Sequence, residues 1–313
     1  MSTEELSYKM YLHWALLKEC NYSCNYCLAS PQKGVPDSID IPRVIRRLEE
    51  LHTTALITFT GGEPFWVPNF VEFAYEVTKK HYIRIDTNLS LTKSCERFLN
   101  RIDPNRVFEI TFSVHILERM KRKLDLSELI VLVKRFQEKG FNMVGSYLAY
   151  PPLLGRIEDD IHFFKKQGIE IRPTLYIGNF DEKNYPLTNG ACTYSGDEME
   201  LISRLNPKAK TKIDKRKNLP CQAGTSAFLI TPDYEVFPCY PIHRKLGNFF
   251  EGWKTFSKVI RCPVDYCFCA FNRPFSTSLA TQQHIQLLQK TMSEKGTFSI
   301  LKSRLILTGL YPW

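Results

Sequence analysis

The chain has 313 residues, 43% hydrophobic and 24% charged, which excludes disorder and collagen-like repeats and suits one large α/β domain or two smaller ones. Roughly three quarters of the unfolded surface can be buried at this size without disulfides, no apolar run reaches ~18 residues, and the polar start Met-Ser-Thr-Glu-Glu is no signal peptide, so a cytoplasmic protein without membrane contact is expected. Two features stand out: 42 Lys and Arg against 33 Asp and Glu give a net charge of +9, and there are ten cysteines.

In chain order, residues 10–17 read as a buried strand followed at once by three cysteines. A helical pattern covers 41–51, with Pro42 in its first turn, and a β-rich run at 55–60 ends in Gly61-Gly62-Glu63-Pro64. Helix 69–80, strand 82–87, helix 93–101, strand 106–115, helix 126–139, strand 141–150, helix 157–167 and strand 169–177 follow. Such alternation predicts parallel strands joined by right-handed crossovers, with reactive residues at the C-terminal strand ends. The cysteine loop and Gly61-Gly62-Glu63-Pro64 both occupy such ends and are expected to face one opening.

After Gly178 the pattern breaks into a polar connection with a helix at 197–205 and a basic run at 208–217. From Cys221 a smaller unit is expected, with a hairpin (227–230 and 235–239, turning at Pro232-Asp233), an aromatic helix near 249–260, and a C-terminal helix from about 279. The domains are therefore a core at 10–178, a linker at 179–220, a small α+β unit at 221–275 and a tail at 276–313.

The cysteines lie at 20, 24, 27, 95, 192, 221, 239, 262, 267 and 269, eight of them in two clusters. In a reducing compartment such grouping points to metal or catalysis before disulfides. Cys20, Cys24 and Cys27 form C-x3-C-x2-C. Three thiolates with a fourth position open suit a [4Fe–4S] cluster with one iron left for another ligand; a zinc knuckle borrowing a distant ligand is the bland alternative.

With Tyr26 before the last cysteine and Gly61-Gly62-Glu63-Pro64 after the second strand, the sequence resembles the radical S-adenosylmethionine (SAM) superfamily. The resemblance implies a partial (β/α)6 barrel, a cluster on Cys20, Cys24 and Cys27, and SAM bound to its open iron. Gly61, Gly62 and Glu63 would then face the SAM amino group and the Tyr26 backbone its adenine, with Asn88 and Ser113 approaching SAM. The paired glycines also let the backbone approach a ligand closely. Asn88 and Ser113 have plainer readings as a turn residue and a strand hydroxyl. The implied chemistry is reductive cleavage of SAM to a 5′-deoxyadenosyl radical that takes a hydrogen atom from the substrate.

Cys221 and Cys239 flank the hairpin, and Cys262, Cys267 and Cys269 follow as C-x4-C-x-C. Cys221-Gln222-Ala223-Gly224 and the segment from Thr231 to Cys239, followed by Leu246-Gly247-Asn248, resemble the SPASM and twitch extensions of radical SAM enzymes, auxiliary [4Fe–4S] domains. Tyr234 stands where that pattern has a turn glycine, so the turn is expected to differ. Five cysteines, not seven, imply one auxiliary cluster, which would accept or relay an electron; a structural zinc site is the alternative. Cys95 reads as a core residue and Cys192 as an inert loop thiol or a hydrogen-atom donor. His13 and His115 point towards the cavity, where buried histidines are usually just hydrogen-bonded.

Basic blocks at 43–47, 119–123 and 208–217 suit an acidic flavodoxin- or ferredoxin-type reductant, a phosphorylated substrate or an acidic peptide, or are simply solvated. Without a reader motif, nucleic acid is not expected. Two enzymes fit: one oxidising or epimerising a small polar metabolite such as a sugar or cyclitol, and one crosslinking or epimerising a ribosomal peptide. With about ten residues before the first strand, no fused peptide-recognition domain is expected, and the peptide reading would need a separate one. A non-enzymatic zinc-binding interaction protein is the alternative from another class.

Overall fold

The computed structural model describes residues 8–27, 32–185, 193–207, 209, 217, 218 and 220–264. Cys192, Cys267, Cys269, most of the basic run at 208–217 and the helix expected from 279 lie outside them.

Six near-continuous apolar runs become strands β1 (Met10–Leu17), β2 (Ala55–Gly61), β3 (Tyr82–Thr87), β4 (Val107–Ser113), β5 (Met143–Ala149) and β6 (Ile171–Leu175). Each pairs in parallel with the next, the pattern of strands covered by crossover helices. Those helices are α1 (Ile41–Glu49), α2 (Phe70–Thr78), α3 (Thr92–Arg101), α4 (Ile116–Lys121), α5 (Leu126–Glu138) and α6 (Ile157–Lys166). Their starts follow local chemistry: the Asp40 carboxylate caps α1 at Arg43 N, and Asp125 caps α5 at Ser127 N. A further helix, α7 (Gly196–Leu205), opens on a reciprocal cap between Ser195 and Glu198. This is the expected α/β radical SAM-type sheet.

The remaining strands are short: β7 (Gly178–Phe180) and β8 (Lys183–Tyr185) form a hairpin, and β9 (Pro220–Cys221) pairs with β14 (Ile260–Arg261). β10 (Ala227–Ile230) lies parallel to β1, with Tyr11 opposite Ala227 and Trp14 opposite Ile230. β11 (Glu235–Phe237), β12 (Gly247–Asn248) and β13 (Gly252–Trp253) then add antiparallel, so one ten-stranded sheet runs β13-β12-β11-β10-β1-β2-β3-β4-β5-β6.

The helix expected at 249–260 is absent; Phe249 to Glu251 is the turn between β12 and β13. Its aromatics pack inward instead, Phe249 against Trp14 with ring centroids 4.8 Å apart. Gly247 also approaches the opposite strand so closely that a Cβ there would lie 2.3 Å from the Gly252 carbonyl oxygen. Tyr234 takes the left-handed backbone (φ 60°) that glycine adopts most cheaply, and its ring is held by Trp14 and Phe250. Of the basic blocks, the first is largely structural: Arg43 lies 3.9 Å over the Phe250 ring and Arg47 5.3 Å over Trp253. In the second, Arg119 is buried and donates to the carbonyls of Val114 (3.0 Å) and Asn88 (2.6 Å).

Candidate active site

At the C-terminal edge of the sheet, β1 runs into the cysteine loop and β2 into the glycine turn. The two are knitted by backbone: Gly62 N donates to Leu17 O (3.0 Å) and Glu63 N to Glu19 O (3.1 Å). A Cβ on Gly62 would lie 1.6 Å from Glu19 O, and one on Gly61, at φ 119°, 2.5 Å from Leu17 O. The glycines therefore let the turn press against the strand that launches Cys20, a demand the protein makes before any ligand arrives.

Cys20, Cys24 and Cys27 share the lining of one cavity of about 200 Å³ with Gly61, Gly62, Glu63, Asn88 and Ser113. Glu63 is buried, its carboxylate accepting from Thr87 Oγ1 (2.7 Å), Asn88 N (2.7 Å) and Phe65 N (3.1 Å). Burial pushes its carboxyl up to about 7, against the pull of those hydrogen bonds. The Asn88 amide donates to Asn21 Oδ1 (2.8 Å) and sits 4.0 Å from Cys20 Sγ, so the end of β3 props the cysteine loop. Burial also raises the thiols of Cys20, to about 11, and Cys24, to about 12.

A second cavity, about 300 Å³, adjoins the first: Cys27, Ser113 and His115 line both. Tyr26 lines only the second, with Ser146 and Thr174, whose hydroxyls lie 3.2 Å apart, and apolar residues such as Leu175 and Ile177. Every residue expected in the first site thus borders one or both cavities. Sequence reasoning passed over Thr60, Asp86 and Tyr22 in the first cavity and Ser146 and Thr174 in the second. For Asp86 the available signal was position, since it lies at the end of β3 two residues before Asn88. His115 is hydrogen-bonded, as expected, and borders both cavities; burial, then the nearby Arg119, lowers its pKa to about 4.

Several polar side chains buried on the strands satisfy one another. Arg84 bridges Glu109 (3.2 Å), Asp86 (2.9 Å) and Thr111 (2.7 Å), while Tyr11 meets Thr58 (2.9 Å) and His13 meets the Tyr240 hydroxyl (3.2 Å). In the C-terminal segment Cys221, Cys239 and Cys262 are buried in one cluster with Tyr8, Tyr11 and Leu56.

The donor set fits the cofactors the motifs imply: three thiols on one short loop face a cavity whose other wall is close-packed glycine backbone and a buried carboxylate. Residues 16–165 match the family described as the Radical SAM superfamily. In sequence, the chain is 32% identical to the GTP 3′,8-cyclase of Actinobacillus pleuropneumoniae serotype 3 (strain JL03) over 100 residues, 30% of this chain and 28% of that one. In structure, it resembles Streptococcus suis SuiB (TM-score 0.55, 15% identity, 79% of this chain and 65% of that one). It also resembles anSMEcpe with bound AdoMet (TM-score 0.55, 16% identity, 77% and 78%). The chain thus spans under a third of the cyclase and just under two thirds of SuiB.

Residues 16–165 thus form a radical SAM domain, of a superfamily whose members are enzymes. Its cofactors are those of the family, a [4Fe–4S] cluster and SAM. Among the described residues no helix is long and apolar enough to cross a membrane.

Proposed function

We propose that the protein cleaves SAM reductively and removes a hydrogen atom from a small polar metabolite, of sugar or cyclitol type, to oxidise or epimerise it. The observation that carries this is the shared cavity of Cys20, Cys24, Cys27 and the Gly61-Gly62-Glu63 turn, adjoining a second cavity through Cys27, Ser113 and His115. The cluster and SAM supply the one-electron cleavage and the hydrogen abstraction. The chain's residues position and shield them: the three thiols hold the cluster, the glycine turn and Glu63 receive the SAM amino group, and Asn88 and Ser113 flank it. Tyr26 borders the adenosine end, where apolar walls exclude water. The Asp86 carboxylate in the first cavity and the Ser146 and Thr174 hydroxyls in the second suit a polar substrate better than an apolar one. A flavodoxin- or ferredoxin-type protein is the proposed reductant.

Cys221, Cys239 and Cys262, buried together, support an auxiliary cluster that takes up the electron left on the substrate, with Cys267 or Cys269 completing it. The second reading, peptide maturation, draws on fold neighbours solved with peptides, SuiB with precursor peptide SuiA and anSMEcpe with Cp18Cys peptide.

The test is anaerobic iron and sulfide quantitation with dithionite-driven SAM cleavage. About eight irons are expected in the wild type and about four in either Cys20/Cys24/Cys27→Ala or Cys221/Cys239→Ala, with cleavage surviving only in the latter. Zinc without SAM cleavage overturns the proposal and favours a zinc-binding interaction protein. Stimulation of SAM cleavage by peptides but not by sugars or cyclitols selects the second reading.

A further inference from the structure

Tyr26 carries a hydroxyl that contact through its backbone alone leaves unused. That hydroxyl lies 3.1 Å from His115 Nδ1, and the same nitrogen lies 3.6 Å from Cys24 Sγ. The Tyr26 hydroxyl and the Cys24 sulfur thus meet at one imidazole nitrogen, which gathers sulfur, hydroxyl and ring at one point. The Tyr26 and His115 rings stack at 5.9 Å and 20°, and Tyr22 meets His115 edge-on at 5.7 Å. His115 reaches this place by taking a left-handed backbone (φ 49°, ψ 48°) at the junction of β4 and α4, a conformation costly for a residue with a ring. Cys20 is held otherwise: its sulfur receives the Tyr22 backbone N–H at 3.4 Å and, farther off, the Asn88 amide at 4.0 Å. At Cys24 the donors are side chains, so the sequence chooses them.

We propose that the Tyr26 hydroxyl and His115 Nδ1 act together as hydrogen-bond donors to Cys24 Sγ and raise the reduction potential of the cluster held there. The inference rests on reading Cys20, Cys24 and Cys27 as cluster ligands. A thiolate only accepts, so both hydrogens turn towards sulfur. Donation to a ligand sulfur stabilises the more negative, reduced cluster over the oxidised one, which moves the potential upward. Tyr26 and His115 are here positioning residues: they act through Cys24.

The test compares Tyr26→Phe, His115→Ala and His115→Asn with wild type in three measurements. These are iron and sulfide content, the EPR signal that changes when SAM is added, and the potential at which that signal is half-developed. Asparagine tolerates the left-handed backbone and offers an amide donor near the position of Nδ1. Y26F and H115A are expected to keep wild-type iron and to shift the midpoint to more negative potential. H115N is expected to return it towards wild type, and the double variant Y26F/H115A to shift less than the sum of its parts. An unmoved midpoint in iron-replete Y26F and H115A overturns the proposal. So does loss of iron in both, which would mean that the pair holds the loop together instead of tuning it. A wild type with no SAM-responsive iron signal would instead defeat the underlying ligand reading, an outcome distinct from either.

Discussion

The Glu63 carboxylate accepts the Asn88 backbone N–H at 2.7 Å and thereby fastens the end of β3 to the turn that follows β2. Its other oxygen accepts from Thr87 Oγ1 (2.7 Å) and Phe65 N (3.1 Å), so one buried side chain fixes the geometry of two adjacent strand ends. Gln at this position keeps the shape but turns one acceptor into a donor facing a donor. E63Q is expected to lose about 1–3 kcal/mol in denaturant unfolding and to bind SAM more weakly. Unchanged stability would show that the three hydrogen bonds are dispensable.

Gly62 gives a sharper contrast. A methyl there would overlap Glu19 O at 1.6 Å, whereas one on Gly155 meets nothing within 4 Å. G62A should cost more than about 3 kcal/mol or prevent folding, and should lower the iron bound by whatever protein is recovered. G155A should stay within about 1 kcal/mol of wild type. Equal behaviour of the two variants in thermal unfolding and iron assays would refute the backbone-packing account.

Much of this site was legible because its residues follow strand ends, and the strands announce themselves as apolar runs bounded by helices. β1 and β3 fall where the pattern placed them, and β4 is shorter by one or two residues at each end. The failures have specific causes. Phe249, Phe250, Trp253 and Phe256 recur at helical spacing, yet Gly252 at φ 99° and the pairing of β12 with β13 fold the first three into a hairpin, where Phe249 packs on Trp14 of β1. Helix α4 is six residues long and starts at a left-handed histidine, which no capping pattern signals. The parallel pairing of β10 with β1 joins segments more than 200 residues apart, beyond the reach of local pattern.

The first basic block illustrates the same limit, because charge alone does not separate a solvated cation from a packed one. Arg47 donates its Nε–H to the Phe249 carbonyl and covers Trp253, while Arg46 on the same helix is exposed. R47A is therefore expected to destabilise by about 1.5–3 kcal/mol, because it removes a charged hydrogen bond and a cation–π interaction at once. R46A should stay within about 0.5 kcal/mol. Chemical denaturation of both variants at matched salt decides the matter, and a cost for R46A as large as that for R47A would contradict it.

The last prediction concerns acid stability. His81 is buried, its Nδ1 accepting the Ala55 N–H at 3.2 Å, and burial, then the neighbouring Lys80, lowers its pKa from 6.5 to about 4. Above pH 6.5 the ring is neutral in both the folded and the unfolded chain, and its contribution to stability is complete. As pH falls from 6.5 to about 4 the unfolded chain takes up a proton that the folded chain refuses, so stability falls by an amount on the order of 3 kcal/mol. His13, held near 3, and His115, held near 4, push the same way, so the wild-type slope is the sum of several groups. Asn keeps an acceptor for Ala55 N but does not titrate. H81N should therefore lose less stability than wild type between pH 6.5 and 4, by roughly the 3 kcal/mol assigned to His81. Parallel slopes for the two proteins in urea unfolding across that window would mean that His81 is protonated as readily in the fold as in the open chain.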